Sequence, residues 1–262
     1  MQRILAGYVT AMCLLLMAPI VIVVILAFSG AGYLQFPPTA LSLRWFARFL
    51  GDDQWRAALW YSLVIGAIAC TIATTIGFFA AYALVRRPIA AKKLLLSLLL
   101  LPVIVPTVIT AIAMYFLSAR LGLVGNVLWI GCCHAVVALP VVLLILLATL
   151  QGVDVNLERA ALSLGSSRLR LFLRVVVPLA APGIISAALF AFLASFDELI
   201  ISLFLTGIRA QTLPVRIWNS LHMQIEPTIA AVSAVLIGIT GLVLLLDASL
   251  RRWRAARTGA GT

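Results

Sequence analysis

The sequence predicts an all-α membrane protein of six transmembrane helices with both termini in the cytoplasm, and three observations carry that prediction. Hydrophobic residues fill 64% of the 262 positions and charged residues only 10%, with a mean hydropathy of +1.19. A soluble chain of this length needs far more polar surface to cover its outside. Apolar windows long enough to cross a bilayer occur at about 4–28, 57–85, 94–117, 127–150, 183–206 and 228–250. The basic residues between them are unevenly shared. Of 19, 13 fall in segments on the side of the N-terminus and 6 on the other, which sets that side as cytoplasmic.

Helix is the default for each span, because an open strand leaves backbone groups unsatisfied in lipid. The bias also explains the net charge of +11 without nucleic acid. One transmembrane domain, 1–262, uses the whole length, with a cytoplasmic loop at 151–182. The first window is too long for a signal-peptide core and lacks a small-residue cleavage site, so it reads as a retained span. Cys13, Cys70, Cys132 and Cys133 sit in apolar runs without zinc spacing and receive no role.

After the first span, Pro37-Pro38 and then Trp45, Phe46 and Phe49 among arginines suit either an interfacial helix or a headgroup anchor. In the third window Pro102 and Pro106 stand four apart and predict a bend.

The 151–182 loop is helix-forming in its middle. Asp154 or Asn156 can cap its start, and Glu158 complements the dipole there. On a helix Glu158, Ala161 and Gly165 share a face, overlapped by an apolar strip of Leu157, Ala160, Ala161 and Leu164. Pro178 and Pro182 are expected to end the segment before the fifth span. Such a helix serves equally a cytoplasmic partner or the inner leaflet, held there by Arg168, Arg170 and Arg174.

The fifth window carries Asp197 and Glu198, although a carboxylate at a membrane-helix centre costs roughly 2.5–3.5 kcal/mol. On a continuous helix Ser195, Glu198 and Ser202 form a polar edge, while Asp197 points to a more apolar side. Glu198 with that edge is the candidate substrate pathway; Asp197 is pathway or structural in equal measure. A cationic cargo would find complementary charge there. The competing internal role is pairing with His134 or with an arginine of a partner subunit. Asp247 reads as one half of an interfacial pair with Arg251.

The loop resolves further by comparison of motifs. Glu158, Ala160, Ala161, Gly165 and the ending Val175-Val176-Val177-Pro178 resemble the cytoplasmic loop signature of ABC importer permeases. Arg159 stands where that signature has a glutamate, and valines replace its usual Ile and Leu. "FPPTALSLRWF", "AAYALVRRP", "LPVIVPTV", "CCHAVVALPVV" and "SFDELIISLFLTG" extend the resemblance along most of the chain. The last is most similar to permeases of spermidine/putrescine importers; related branches carry aminoethylphosphonate or iron.

The resemblance implies a multi-pass permease of the bacterial inner membrane, paired with a homologous permease subunit. Two ATPase subunits would hold the ATP and Mg, so this chain would need no cofactor or metal. An extracytoplasmic binding protein would deliver substrate. Glu158, Ala160, Ala161 and Gly165 would couple the ATPase to the bundle. Lys92 and Lys93, the lysines of the chain, follow no phosphate-binding loop. An ion-coupled secondary transporter is the other transport class, but it leaves the loop unexplained. A membrane enzyme lacks support, since neither HExxH nor GxSxG is present.

Overall fold

A computed structural model describes residues 2–208, 210–223 and 226–259, with side chains described for 5–208, 210–222 and 226–249. Twelve α-helices are formed among the described residues: α1 (Gln2–Ala27), α2 (Arg44–Gly51), α3 (Asp53–Arg86), α4 (Lys92–Ile104), α5 (Thr107–Leu121), α6 (Val127–Gln151), α7 (Val155–Ser163), α8 (Arg168–Leu171), α9 (Val177–Phe196), α10 (Ile200–Leu205), α11 (Leu213–Met223) and α12 (Thr228–Gly259). A π-helical turn, Phe172–Val176, joins α8 to α9. Within α1, α3, α6, the α8–α9 run and α12 lie five segments long and apolar enough to span a bilayer.

The third window is a broken pair. α4 and α5 meet at a bend of 98°, and counting them as one span gives the sixth. The cause is local. Val105 precedes a proline and takes an extended conformation, with φ −77° and ψ 128°. Pro106 then opens α5 without a backbone N–H to continue the helix.

The fifth span departs from expectation at both ends. Pro178 and Pro182 do not terminate the loop; the helix runs through both from Arg168 to Phe196. Pro178 cannot donate to the carbonyl of Arg174, and the wider π turn just before it absorbs the mismatch. The helix then stops at Phe196, where an uninterrupted span was expected.

The chain divides into two compact units. One comprises Met1–Leu59 with Val215–Leu242. Its core gathers Ala27, Trp45, Ala230 and Ala231, with Phe46 packed alongside. Thus α2 buries Trp45 and Phe49 in protein, where an interfacial seat was one expectation. Arg44 covers the Trp45 ring at 4.4 Å. The isolated pairing of Ser29 with Leu41 closes the intervening loop.

The other unit comprises Trp60–Pro214 with Val243–Thr262. Its core is built on α3, α6 and α9, with Ala73, Ala81, Ala138, Leu143, Leu146, Ala180 and Ala187 all buried. Glycines set the spacing: a Cβ on Gly131 would meet Ile68 at 2.5 Å, and one on Gly77 would meet Val142 at 2.6 Å. Small residues at such contacts let membrane helices approach closely, where no hydrophobic force separates protein from lipid. Cys133 is buried and Cys13 exposed, and all four cysteines are free.

Candidate coupling helix and substrate pathway

α7 starts where the sequence places it. The Asp154 side chain accepts from the Asn156 N–H at 2.8 Å, closing the first turn. Its end is set by Gly165, whose φ of +80° is a left-handed conformation that most residues resist. Ser166 N–H then reaches back to the Ala161 carbonyl at 3.1 Å.

The face expected to meet a partner is turned inward. Glu158 is buried, and Arg86 Nε donates to its Oε1 at 2.7 Å. The same guanidinium donates to the Val153 carbonyl at 2.8 Å. Ala161 packs against the main core. Gly165 lies past the helix end and cannot continue the face of Glu158 and Ala161. The exposed stripe is Leu157, Ala160 and Leu164, the last 89% exposed. These fall at i, i+3 and i+7, an apolar strip one residue out of phase with Glu158. The signal for the inversion was Arg86, 72 positions away.

At the other end of α9, the expected polar edge is divided. Ser195 and Ser202 are both buried, and His134 of α6 lies between them. Its Nδ1 is 2.8 Å from Ser195 Oγ and its Nε2 is 3.2 Å from Ser202 Oγ. A neutral imidazole donates on one nitrogen and accepts on the other, and a hydroxyl can answer either role. Both nitrogens are satisfied, so His134 pairs with neither acid. The ring bridges α6 to α9 and α10 across the break at 197–199.

The acids occupy that break. Asp197 is exposed at the end of α9 and makes no side-chain hydrogen bond or ion pair among the described residues. Glu198 is half-buried, and its Oε1 accepts from the Ile201 N–H at 3.1 Å, capping α10. A carboxylate at a helix start is favoured by the unpaired N–H groups and the dipole there. Asp247 is buried and accepts from the Ser186 hydroxyl. The side chain of Arg251, its expected partner, lies outside the described residues, as does Arg209.

Sequence reasoning missed a cavity of about 540 Å³ in the first unit. It is lined by Arg48, Asp52, Trp55, Arg216, Asn219 and Glu226 among others. Arg48 pairs with Glu226 at 3.1 Å, and the Arg216 guanidinium sits 5.5 Å from the Trp55 ring centroid. No short-range pattern joins residues so far apart in the chain. No group of three or more His, Cys, Asp or Glu side chains suited to a metal occurs among the described residues.

Comparison with known proteins identifies the family and the fold. Residues 73–255 match the model of a family described as binding-protein-dependent transport system inner membrane component. The putrescine transport system permease protein PotI of Escherichia coli K12 is 31% identical over 235 residues, covering 87% of this chain and 83% of that protein. The spermidine/putrescine permease PotC of the same strain is 26% identical, covering 93% and 92%. The molybdenum permease ModB is 35% identical over 57% of this chain and 70% of its own length. In fold, a bacterial ABC transporter that imports alginate superposes with a TM-score of 0.72 at 14% identity, covering 96% of this chain and 95% of that one. The MetNI methionine transporter does so with a TM-score of 0.62, covering 77% and 98%. This chain therefore belongs to the binding-protein-dependent transport system inner membrane components, and is a permease of a bacterial ABC importer.

Proposed function

We propose that this permease imports polyamines such as putrescine and spermidine, released to it by an extracytoplasmic binding protein. A separate pair of ATPase subunits drives the cycle, and a homologous permease subunit completes the bundle. The observation that carries the substrate is likeness to PotI and PotC over most of the chain, together with a carboxylate held open at a helix break.

Geometry suggests how force would pass. An ATPase gripping the Leu157–Ala160–Leu164 stripe would move α7, and Arg86 ties α7 to the end of α3. From α8 the helical run is unbroken to Phe196, so displacement at the loop is delivered at the break beside Asp197. There Ser195 and Ser202 share one imidazole, a joint that can bend without exposing an unpaired group. Asp197 would meet the ammonium groups of the cargo as they pass. Its contact must be brief, because a tight, desolvated pair would hold the substrate.

Reconstitution of the chain with its ATPase and binding protein in proteoliposomes provides the test. Putrescine or spermidine uptake should require ATP and the binding protein, and should survive collapse of ion gradients. Uptake driven by a gradient alone would remove the ATP-coupled reading. ATP-dependent uptake of an anion, with polyamines ignored, would remove the substrate and keep the machine; likeness to ModB makes that arm worth including.

A further inference from the structure

We propose that a basic cavity beside α7 binds the phosphate headgroup of an anionic phospholipid. The cavity, about 350 Å³, lies between the end of α3, α7 and α8. Arg86, Arg87, Arg159 and Arg168 line it, opposed by the single carboxylate of Glu158. Arg86 is already spent on Glu158 and the Val153 carbonyl. Arg87, Arg159 and Arg168 are exposed and form no ion pair among the described residues. Three further arginines thus line a space whose one carboxylate is already paired with Arg86. Their planar forks match phosphate oxygens in pairs.

Two further features favour a lipid over a free anion. The site lies where α3 ends at Arg86 and the α8–α9 spanning run begins at Arg168, so one end of each of two spanning segments borders it. Its apolar wall also continues outward. Phe172, in the cavity lining, stacks on Phe79 with centroids 5.8 Å apart and an 8° interplanar angle. Phe79 is 56% exposed and Leu173 likewise, a surface for the acyl chains of a lipid whose phosphate is held by the arginines. Inorganic phosphate would use the arginines and leave that surface bare. Basic pockets at the ends of membrane helices are well suited to anionic headgroups.

The test is native mass spectrometry of the full-length chain, purified with whatever subunits accompany it, titrated with phosphatidylglycerol or phosphatidylcholine. Arg159→Gln/Arg168→Gln should weaken phosphatidylglycerol binding roughly tenfold, as removal of two headgroup contacts implies. Arg170→Gln/Arg174→Gln removes the same charge from exposed positions outside the cavity and should weaken binding several-fold less than the first pair does. If the first double variant does not purify, Arg168→Gln against Arg170→Gln makes the same comparison. Equal losses in both pairs, or equal binding of phosphatidylcholine, would overturn the site. So would displacement of the lipid by millimolar inorganic phosphate, which would mark a free-anion site. Unchanged lipid binding with loss of the co-purifying ATPase would give the arginines to that protein instead.

Discussion

Arg86 holds two points of the chain at once: the Glu158 carboxylate at 2.7 Å and the Val153 carbonyl at 2.8 Å. One guanidinium at the end of α3 therefore fixes both the entry to α7 and its inward face. The two side chains are only 12% and 9% exposed, so the pair is largely shielded from bulk water although it borders the cavity beside α7.

Removing one partner leaves the other charge buried without compensation, at a cost on the order of 3–5 kcal/mol. Arg86→Ala and Glu158→Ala should each lower the thermal unfolding midpoint and abolish coupled uptake. Arg86→Met/Glu158→Leu should recover much of the midpoint, since no unpaired charge remains, while uptake stays impaired. Thermal unfolding of the three variants checks this; equal midpoints for the single and double variants would contradict it.

Gly165 separates conformation from contact. Its φ of +80° disfavours any side chain, yet nothing lies within 4 Å of a Cβ built there. Asn tolerates this conformation better than Ala does, and Leu is strained about as much as Ala, on the order of 1–2 kcal/mol. Uptake should fall in the order Gly, Asn, then Ala and Leu together. A Leu variant far worse than Ala would show that a partner packs on this position in the assembled importer.

His134 predicts a shared energetic unit. Ser195→Ala or Ser202→Ala leaves one imidazole nitrogen without its partner, costing about 1–3 kcal/mol. His134→Ala strands both hydroxyls, and adding the serine substitutions to it should cost little more. Unfolding midpoints across this set should be strongly non-additive. Simple additivity would mean the three groups do not act together.

The two acids should behave differently. Asp197→Asn removes an exposed charge that makes no side-chain contact among the described residues, so assembly should survive while polyamine uptake falls several-fold. Glu198→Gln keeps an oxygen to accept from Ile201 and should be mild; Glu198→Ala loses the cap and about 1 kcal/mol. Radiolabelled putrescine uptake, with subunit co-purification as control, reads both. Normal transport by Asp197→Asn would make that carboxylate structural.

The spans were legible because membrane helices announce themselves locally, as continuous apolar runs. The bend at Pro106 was legible for the same reason, since proline acts on its own backbone and its neighbour's. The orientation of α7 was not. Periodicity groups Glu158 with Ala161, but which way that face turns depends on Arg86, and no local pattern links them. Ser195 and Ser202 misled in the same way. They share an edge only if the helix is continuous, whereas the structure interrupts it and satisfies both from His134 on α6. The resemblance to permease loops supplied the family. It could not supply the phase of the helix, because Glu158 is displaced by one position from the signature's glutamate.

α7 leaves Leu157, Ala160 and Leu164 exposed and turns Glu158 and Ala161 to the permease, so the proposed grip of the ATPase on this stripe can be read residue by residue. Single cysteines at these five positions, in a chain with its four native cysteines replaced, can be cross-linked to the co-expressed ATPase with a short bifunctional reagent. Positions 157, 160 and 164 should cross-link strongly, and 158 and 161 weakly or not at all. Strong products at 158 and 161, or none at 157, 160 and 164, would show that the ATPase does not grip the exposed stripe.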